Sequence, residues 1–159
     1  MRMRWVALAA ASFLSASVGC RKADPSFRVD VPQGWQVFRA IDDQAVRSKH
    51  LRPEVNGENV WIAVVCEPYG SRTEYLNVSR SLEDAGAKVV SSRIHLASDT
   101  FELVYAVNDE AGPMRGKIVI KPNTGRRVKT IMIQGIWPES RDAEMTKAFD
   151  AVAASADFR

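Results

Sequence analysis

Val60-Trp61-Ile62-Ala63-Val64-Val65-Cys66 is a near-continuous apolar run, bounded by Asn56-Gly57 before it and Pro68-Tyr69-Gly70 after it. Its length suits a strand, and its lack of alternation marks a central strand covered on both faces. Helices are therefore expected on two sides of the sheet to which it belongs. The first follows at once. Ser71-Arg72-Thr73-Glu74 has the spacing of a capping box, Tyr75, Val78, Leu82 and Ala85 recur at helical intervals, and Gly86 is placed to end the helix. Cys66, inside the apolar run, is expected to be buried as a small apolar side chain.

Downstream, residues 89–96 and 101–108 form a hairpin across Ala97-Ser98-Asp99, with Phe101, Leu103, Tyr105 and Val107 alternating against Glu102, Val104 and Ala106. Residues 114–121 and 126–137 form another, across Pro122-Asn123-Thr124-Gly125. A final helix opens at residues 138–140 and places Met145, Ala148, Phe149, Val152 and Ala156 on one face, with Arg141, Glu144 and Lys147 off it. Upstream, Phe27, Val29 and Val31 alternate with Arg28 and Asp30 as a half-buried strand stopped by Pro32-Gln33-Gly34, and Trp35, Val37 and Phe38 restart it. Residues 45–51, with Arg47, Lys49 and then Arg52, read as a charged edge strand. The sum is an α+β fold, an antiparallel β-sheet flanked by helices, and not a parallel nucleotide-binding sheet.

The first twenty residues differ from all the rest. Arg2 and Arg4 form a basic head, residues 5–14 an apolar stretch, and residues 15–19 a run of small residues before Cys20. That order is the pattern of a cleaved export signal, and the apolar stretch is shorter than the ~20 residues of a membrane span. The arginines are not adjacent, which favours the ordinary secretory route over the twin-arginine one. Ser17-Val18-Gly19-Cys20 resembles the lipobox of bacterial lipoproteins, with Ser17 where those boxes usually carry Leu. The resemblance implies an acylated Cys20 as the new N-terminus. The domains expected are thus a signal peptide over 1–19, a lipidated tether over 20–26 carrying Pro25, and a single folded domain over 27–159. The alternative is ordinary cleavage to a soluble periplasmic protein in which Cys20 and Cys66 could pair as a disulfide.

Losing residues 1–19 removes two arginines and no acid, so the 22 basic and 19 acidic side chains of the full chain become 20 and 19. A pI near 9.0 is then poor support for a nucleic-acid surface, and no nucleic-acid partner is expected. The remaining 140 residues suffice for one ordinary core.

Two segments carry a family resemblance: Phe27-Arg28-Val29-Asp30-Val31-Pro32-Gln33-Gly34-Trp35 at the start, and Phe149-Asp150-Ala151-Val152-Ala153-Ala154-Ser155-Ala156-Asp157-Phe158 at the end. Together with the element order, they resemble the PsbP-like and Mog1-like α/β/α sandwiches, which include bacterial lipoproteins of the DcrB kind. That family holds photosystem II subunits, a nuclear-transport regulator and many exported proteins. The resemblance implies fold and a binding or accessory role, with no particular ligand or cofactor.

Chemistry is sparse. His50 and His95 are far apart in sequence and lack Cys or acidic neighbours at ligand spacing, so no metal is expected. There is no Gly-x-Ser-x-Gly elbow, and a thiolate is disfavoured at Cys66, so no enzyme is expected. Gly112 and Gly116 read as turn residues, Asp42-Asp43 and Asp109-Glu110 as solvated loop acids, and Trp35, Trp61 and Trp137 as core or core rim. Asn77-Val78-Ser79 is a glycosylation sequon in form alone. Lys117, Lys121, Arg126, Arg127 and Lys129 form a candidate basic patch facing anionic lipid or an acidic partner, against the reading of a solvated strand. Two functions follow as expectations. One is an accessory lipoprotein held by Cys20 on the periplasmic side of a membrane, docking an envelope protein; Arg21 after the cysteine leans towards the outer membrane. The other is a periplasmic carrier or sensor binding a small ligand in a cleft lined by Tyr69, Tyr75 or Tyr105.

Overall fold

The structure, a computed structural model, describes residues 27–42, 47–110, 112–124 and 128–158. The expected signal peptide 1–19 and tether 20–26 with Cys20, and Asp43, Arg126 and Arg127, lie outside the described residues. The elements run β1 (Phe27–Arg28), β2 (Trp35–Asp42), β3 (Arg47–Pro53), β4 (Trp61–Glu67), α1 (Ser71–Asp84), β5 (Lys88–His95), β6 (Thr100–Asp109), β7 (Gly112–Pro122), β8 (Thr130–Pro138), a 3₁₀ turn (Glu139–Arg141), α2 (Asp142–Ser155) and β9 (Asp157–Phe158). Seven strands form one antiparallel sheet in the order β2-β3-β4-β8-β7-β6-β5, and β1 pairs with β9.

Side-chain parity explains the layers. Along β8, Ile131, Ile133 and Trp137 join a cluster with Met145, Phe149 and Val152 of α2, whereas Met132 and Ile136 join one with Val78 and Leu82 of α1. Because both faces of this middle strand are covered, eight of its nine residues are buried. β4 shows the same division, Ile62 and Val64 facing the α2 cluster and Trp61 and Val65 the α1 cluster. Cys66 is buried in it, as expected. Trp35 and Trp61 sit at the rims of the two clusters, and Trp137 lies inside one.

Several boundaries depart from expectation, each for a physical reason. The strand expected over Phe27, Val29 and Val31 is shorter, covering only Phe27 and Arg28. Phe27 and Arg28 pair with Phe158 and Asp157 at the other end of the chain, and the Asp30 N–H donates to Ser155 Oγ. The charged strand β3 is not an edge, because β2 continues to Asp42 and takes the outer position. β8 begins at Thr130 and not at Arg126; Asn123 instead ties the connection together, its N–H donating to Lys129 O and its side-chain amide to Val128 O. Ser71 does not cap α1. The N-cap is Gly70, and Ser71 is the first helical residue, its hydroxyl donating to Asp99 Oδ2 at 2.5 Å. Ala85 is exposed and Tyr75 only half-buried, and the buried stripe runs through Ser71, Glu74, Val78 and Leu82. The C-terminus of α1 does end as expected: Gly86 adopts φ +69°, its N–H reaches Glu83 O and that of Ala87 reaches Leu82 O, both at 2.9 Å. This is a Schellman closure, which a Cβ at Gly86 would strain.

Gly116 is no turn residue. It lies within β7 opposite Tyr105 of β6, whose ring covers it, so a methyl group added there would fall inside the ring. Burial pushes the Tyr105 hydroxyl up to about 12. Gly116→Ala is expected to destabilise the fold by about 1–3 kcal/mol, because Tyr105 must leave a well-packed site. Denaturant unfolding checks this, and an unchanged midpoint would contradict the packing described.

Candidate functional site

β4 ends, β6 begins, β7 ends and β8 begins at one end of the sheet, here the lower end. Three turns are knitted together there. The Lys129 N–H donates to Glu67 O at 2.9 Å, the Thr130 hydroxyl donates to Tyr69 O at 2.6 Å, and Ser71 bonds to Asp99 in the β5–β6 turn. Helix α2 also comes down to this end: the Lys121 ammonium donates to the carbonyls of Ala153 and Ala156, the latter at 3.2 Å. A cation on the last carbonyls of a helix satisfies orphan acceptors and opposes the negative pole of the dipole. The paired strands β1 and β9 therefore lie at the lower end as well.

Beneath the first turn of α1, the lower end buries two carboxylic acids, of which sequence reading named only Glu74, and that as a capping residue. Glu67, at the end of β4, is 4 % exposed, and Glu74, on α1, is buried with it. Desolvation, and then the neighbouring Glu74 charge, push the Glu67 carboxyl up to about 7. Desolvation raises Glu74 too, while a side-chain hydrogen bond with Asn77 acts in the opposite direction. A signal was present in the sequence. Glu67 continues the Trp61, Ala63, Val65 alternation toward α1, and Glu74 lies four residues before Val78 and eight before Leu82. Such a pair can hold and release a proton near neutrality.

The five basic residues of the candidate patch do not share one role. Lys117 forms an ion pair with Asp150 at 2.6 Å and lies 5.5 Å from the centre of the Phe149 ring. Lys121 serves the end of α2, and burial lowers its ammonium below the usual lysine range, opposed by Asp157. Lys129 is exposed beside Glu67 and Thr130. Arg126 and Arg127 lie outside the described residues.

The three tyrosines of the carrier reading are each engaged separately. Tyr69 is half exposed on the β4–α1 turn, Tyr75 stacks on Phe101 at 4.8 Å and bonds with Ser92, and Tyr105 covers Gly116. A cleft of about 470 Å³ at the opposite, upper end is lined by Gln36, Arg52, Pro53, Glu54, Asn56, Gly57 and Glu58 and contains none of them. His50 contacts Ser48 Oγ at 3.2 Å, and burial, then Arg39, lowers its basicity. His95 pairs with Glu102 across the β5–β6 hairpin. Among the described residues there is no group of three His, Cys, Asp or Glu side chains able to hold a metal, and no helix long and apolar enough to cross a membrane.

No family model matches this sequence, and no curated protein matches it. Solved structures do. The solution structure of cyanobacterial PsbP (CyanoP) from Synechocystis is similar over 92 % of this chain and 99 % of its own, with a TM-score of 0.55 and 16 % identity. The crystal structure of LpqN, involved in cell envelope biogenesis of Mycobacterium tuberculosis, is similar over 84 % of this chain and 83 % of its own, with a TM-score of 0.54 and 6 % identity. At such identities the likeness concerns the fold. The seven-stranded antiparallel sheet with its two helices is accordingly a PsbP-like α+β fold, as the segments 27–35 and 149–158 implied.

Proposed function

We propose that this chain is a non-catalytic accessory lipoprotein of a bacterial cell envelope, held to the periplasmic side of a membrane by acylated Cys20 and docking a protein partner through a sheet edge. The observation that carries the docking is the outer strand β5. All eight of its residues are exposed, with Val89, Val90 and Ile94 among the large apolar side chains left in solvent. An uncovered edge of this kind offers main-chain donors and acceptors to an added strand, with apolar side chains to set its register. The anchor rests on the sequence of residues 1–20 and on a first strand, β1, that begins at Phe27, seven positions after Cys20. The likeness of the fold to an envelope-biogenesis protein supports the address.

In vivo crosslinking of the full-length protein tests the reading, with Cys20→Ala as the control. Recovery of one abundant envelope partner, reduced at least several-fold by Cys20→Ala together with loss of the protein from membranes, is the expected result. An unchanged membrane fraction in the variant would contradict the anchor, and no specific partner would contradict the docking role. The alternative, a small-ligand carrier, is favoured by the polar cleft around Arg52, Glu54 and Glu58 and not by the tyrosines. Saturable binding lost in Arg52→Ala would support it.

A further inference from the structure

The lower end carries three exposed side chains that internal packing does not explain. Leu96, in the β5–β6 turn, is 82 % exposed, the highest value among the exposed large apolar residues, and Tyr69, in the β4–α1 turn, is 51 % exposed. Lys129 leads into β8 at the same end, and the ion pairs among the described residues do not include it. The three turns are held side by side by the bonds from Lys129 to Glu67, Thr130 to Tyr69 and Ser71 to Asp99. An aliphatic tip, an amphipathic tyrosine and a lysine on one rim are the chemistry of a water–lipid interface, where the ring sits at the headgroups and the ammonium meets phosphate.

The chain enters the domain at this same end. Phe27 pairs with Phe158, two residues after Ala156, whose carbonyl is held by Lys121. Residues 20–26 span at most about 25 Å when fully extended. β7, with 11 residues, places the upper end roughly 33 Å farther away. A tether of that length keeps the lower end near the surface to which Cys20 is attached, and it cannot hold the domain inverted with the upper end against the lipid.

We propose that the lower end is a lipid-facing surface, with Leu96 and Tyr69 entering the headgroup layer and Lys129 lying over anionic phospholipid phosphates, so that β5 stands up from the membrane with its edge open to a partner. This rests on the lipid-anchor reading above.

The test uses the full chain, acylated and reconstituted in phosphatidylethanolamine and phosphatidylglycerol vesicles containing nitroxide-headgroup lipid. Fluorophores are placed through Leu96→Cys and, as the upper-end control, Val55→Cys, with the wild-type chain correcting for background labelling. Quenching at position 96 at least threefold above that at position 55, lessened by Lys129→Glu or by omitting phosphatidylglycerol, is the expected result. Vesicle flotation with equal quenching at the two positions overturns the orientation while leaving the anchor standing. Failure of the wild-type chain to float overturns the anchor, and the orientation with it.

Discussion

Replacing Glu67 by Gln is expected to raise stability at pH 8 by roughly 3 kcal/mol and to leave it nearly unchanged at pH 4. The size follows from the distance between the ordinary carboxyl value of 4.5 and the value of about 7 reached in the folded chain, at about 1.4 kcal/mol for each pH unit. The sign follows from proton uptake. Below about pH 4.5 the carboxyl is protonated both folded and unfolded, and no energy is lost. Between 4.5 and 7 the folded state holds a proton that the unfolded state releases, so rising pH favours unfolding. Above about 7 the carboxylate is ionised in both states, and the folded chain bears the whole cost of burying it beside Glu74. Urea unfolding of the two proteins from pH 4 to pH 8 checks this. The wild type should lose stability across that interval relative to Glu67→Gln, and parallel curves would show that Glu67 is hydrated or compensated in the fold.

His50 acts with the opposite sign. Its lowered basicity costs stability as pH falls, because the neutral ring is favoured in the folded state. The comparison of Glu67→Gln with wild type removes that contribution, since His50 is common to both. Glu74 stays in both as well, and it becomes easier to ionise once its neighbour is neutral, so the difference between the curves measures the pair more than Glu67 alone. Two acids buried under one helix therefore make the stability of this fold fall as pH rises toward neutrality.

The legibility of this chain followed the range of its interactions. β4, β6, β8 and the buried stripe of α2 could be read from residues because local periodicity and burial on one or two faces decide them. The position of β3 in the sheet could not, because whether a charged strand lies at an edge depends on what β2 does beyond it. Nor could β1, whose partners lie 129 and 131 positions away. The site was read least well. Lys117 and Lys121 looked like free surface charge because sequence does not show Asp150 or the carbonyl end of α2 above them. Glu67 lies just past the apolar run that was read as a strand, and its burial together with Glu74 of α1 depends on how that helix packs on the sheet.

Trp137→Ala is expected to cost about 3–5 kcal/mol, the largest single loss argued for this fold. The indole is 1 % exposed. It lies 5.9 Å, centre to centre, from the ring of Phe149, and its Nε1–H donates to Asp142 Oδ1 at 2.9 Å. It therefore joins β8 to α2 in two ways, through apolar contact in the middle of the helix and through a polar bond at its first residue. Truncation would leave a cavity lined by Phe149, Ile62 and the backbone of Gly135, and it would deprive the Asp142 carboxylate of its indole donor while Thr146 still reaches it at 3.4 Å. Room to collapse is small, because a methyl group at Gly135 would already crowd Trp137, Phe149 and Ile62. Trp137→Phe separates the two contributions: it restores much of the apolar volume without the donor, so it should recover more than half of the loss. Guanidinium unfolding of both variants measures this. Equal losses for Ala and Phe would place the energy in the bond to Asp142, and a loss below about 1 kcal/mol for Ala would mean that α2 does not depend on this strand for its place on the sheet.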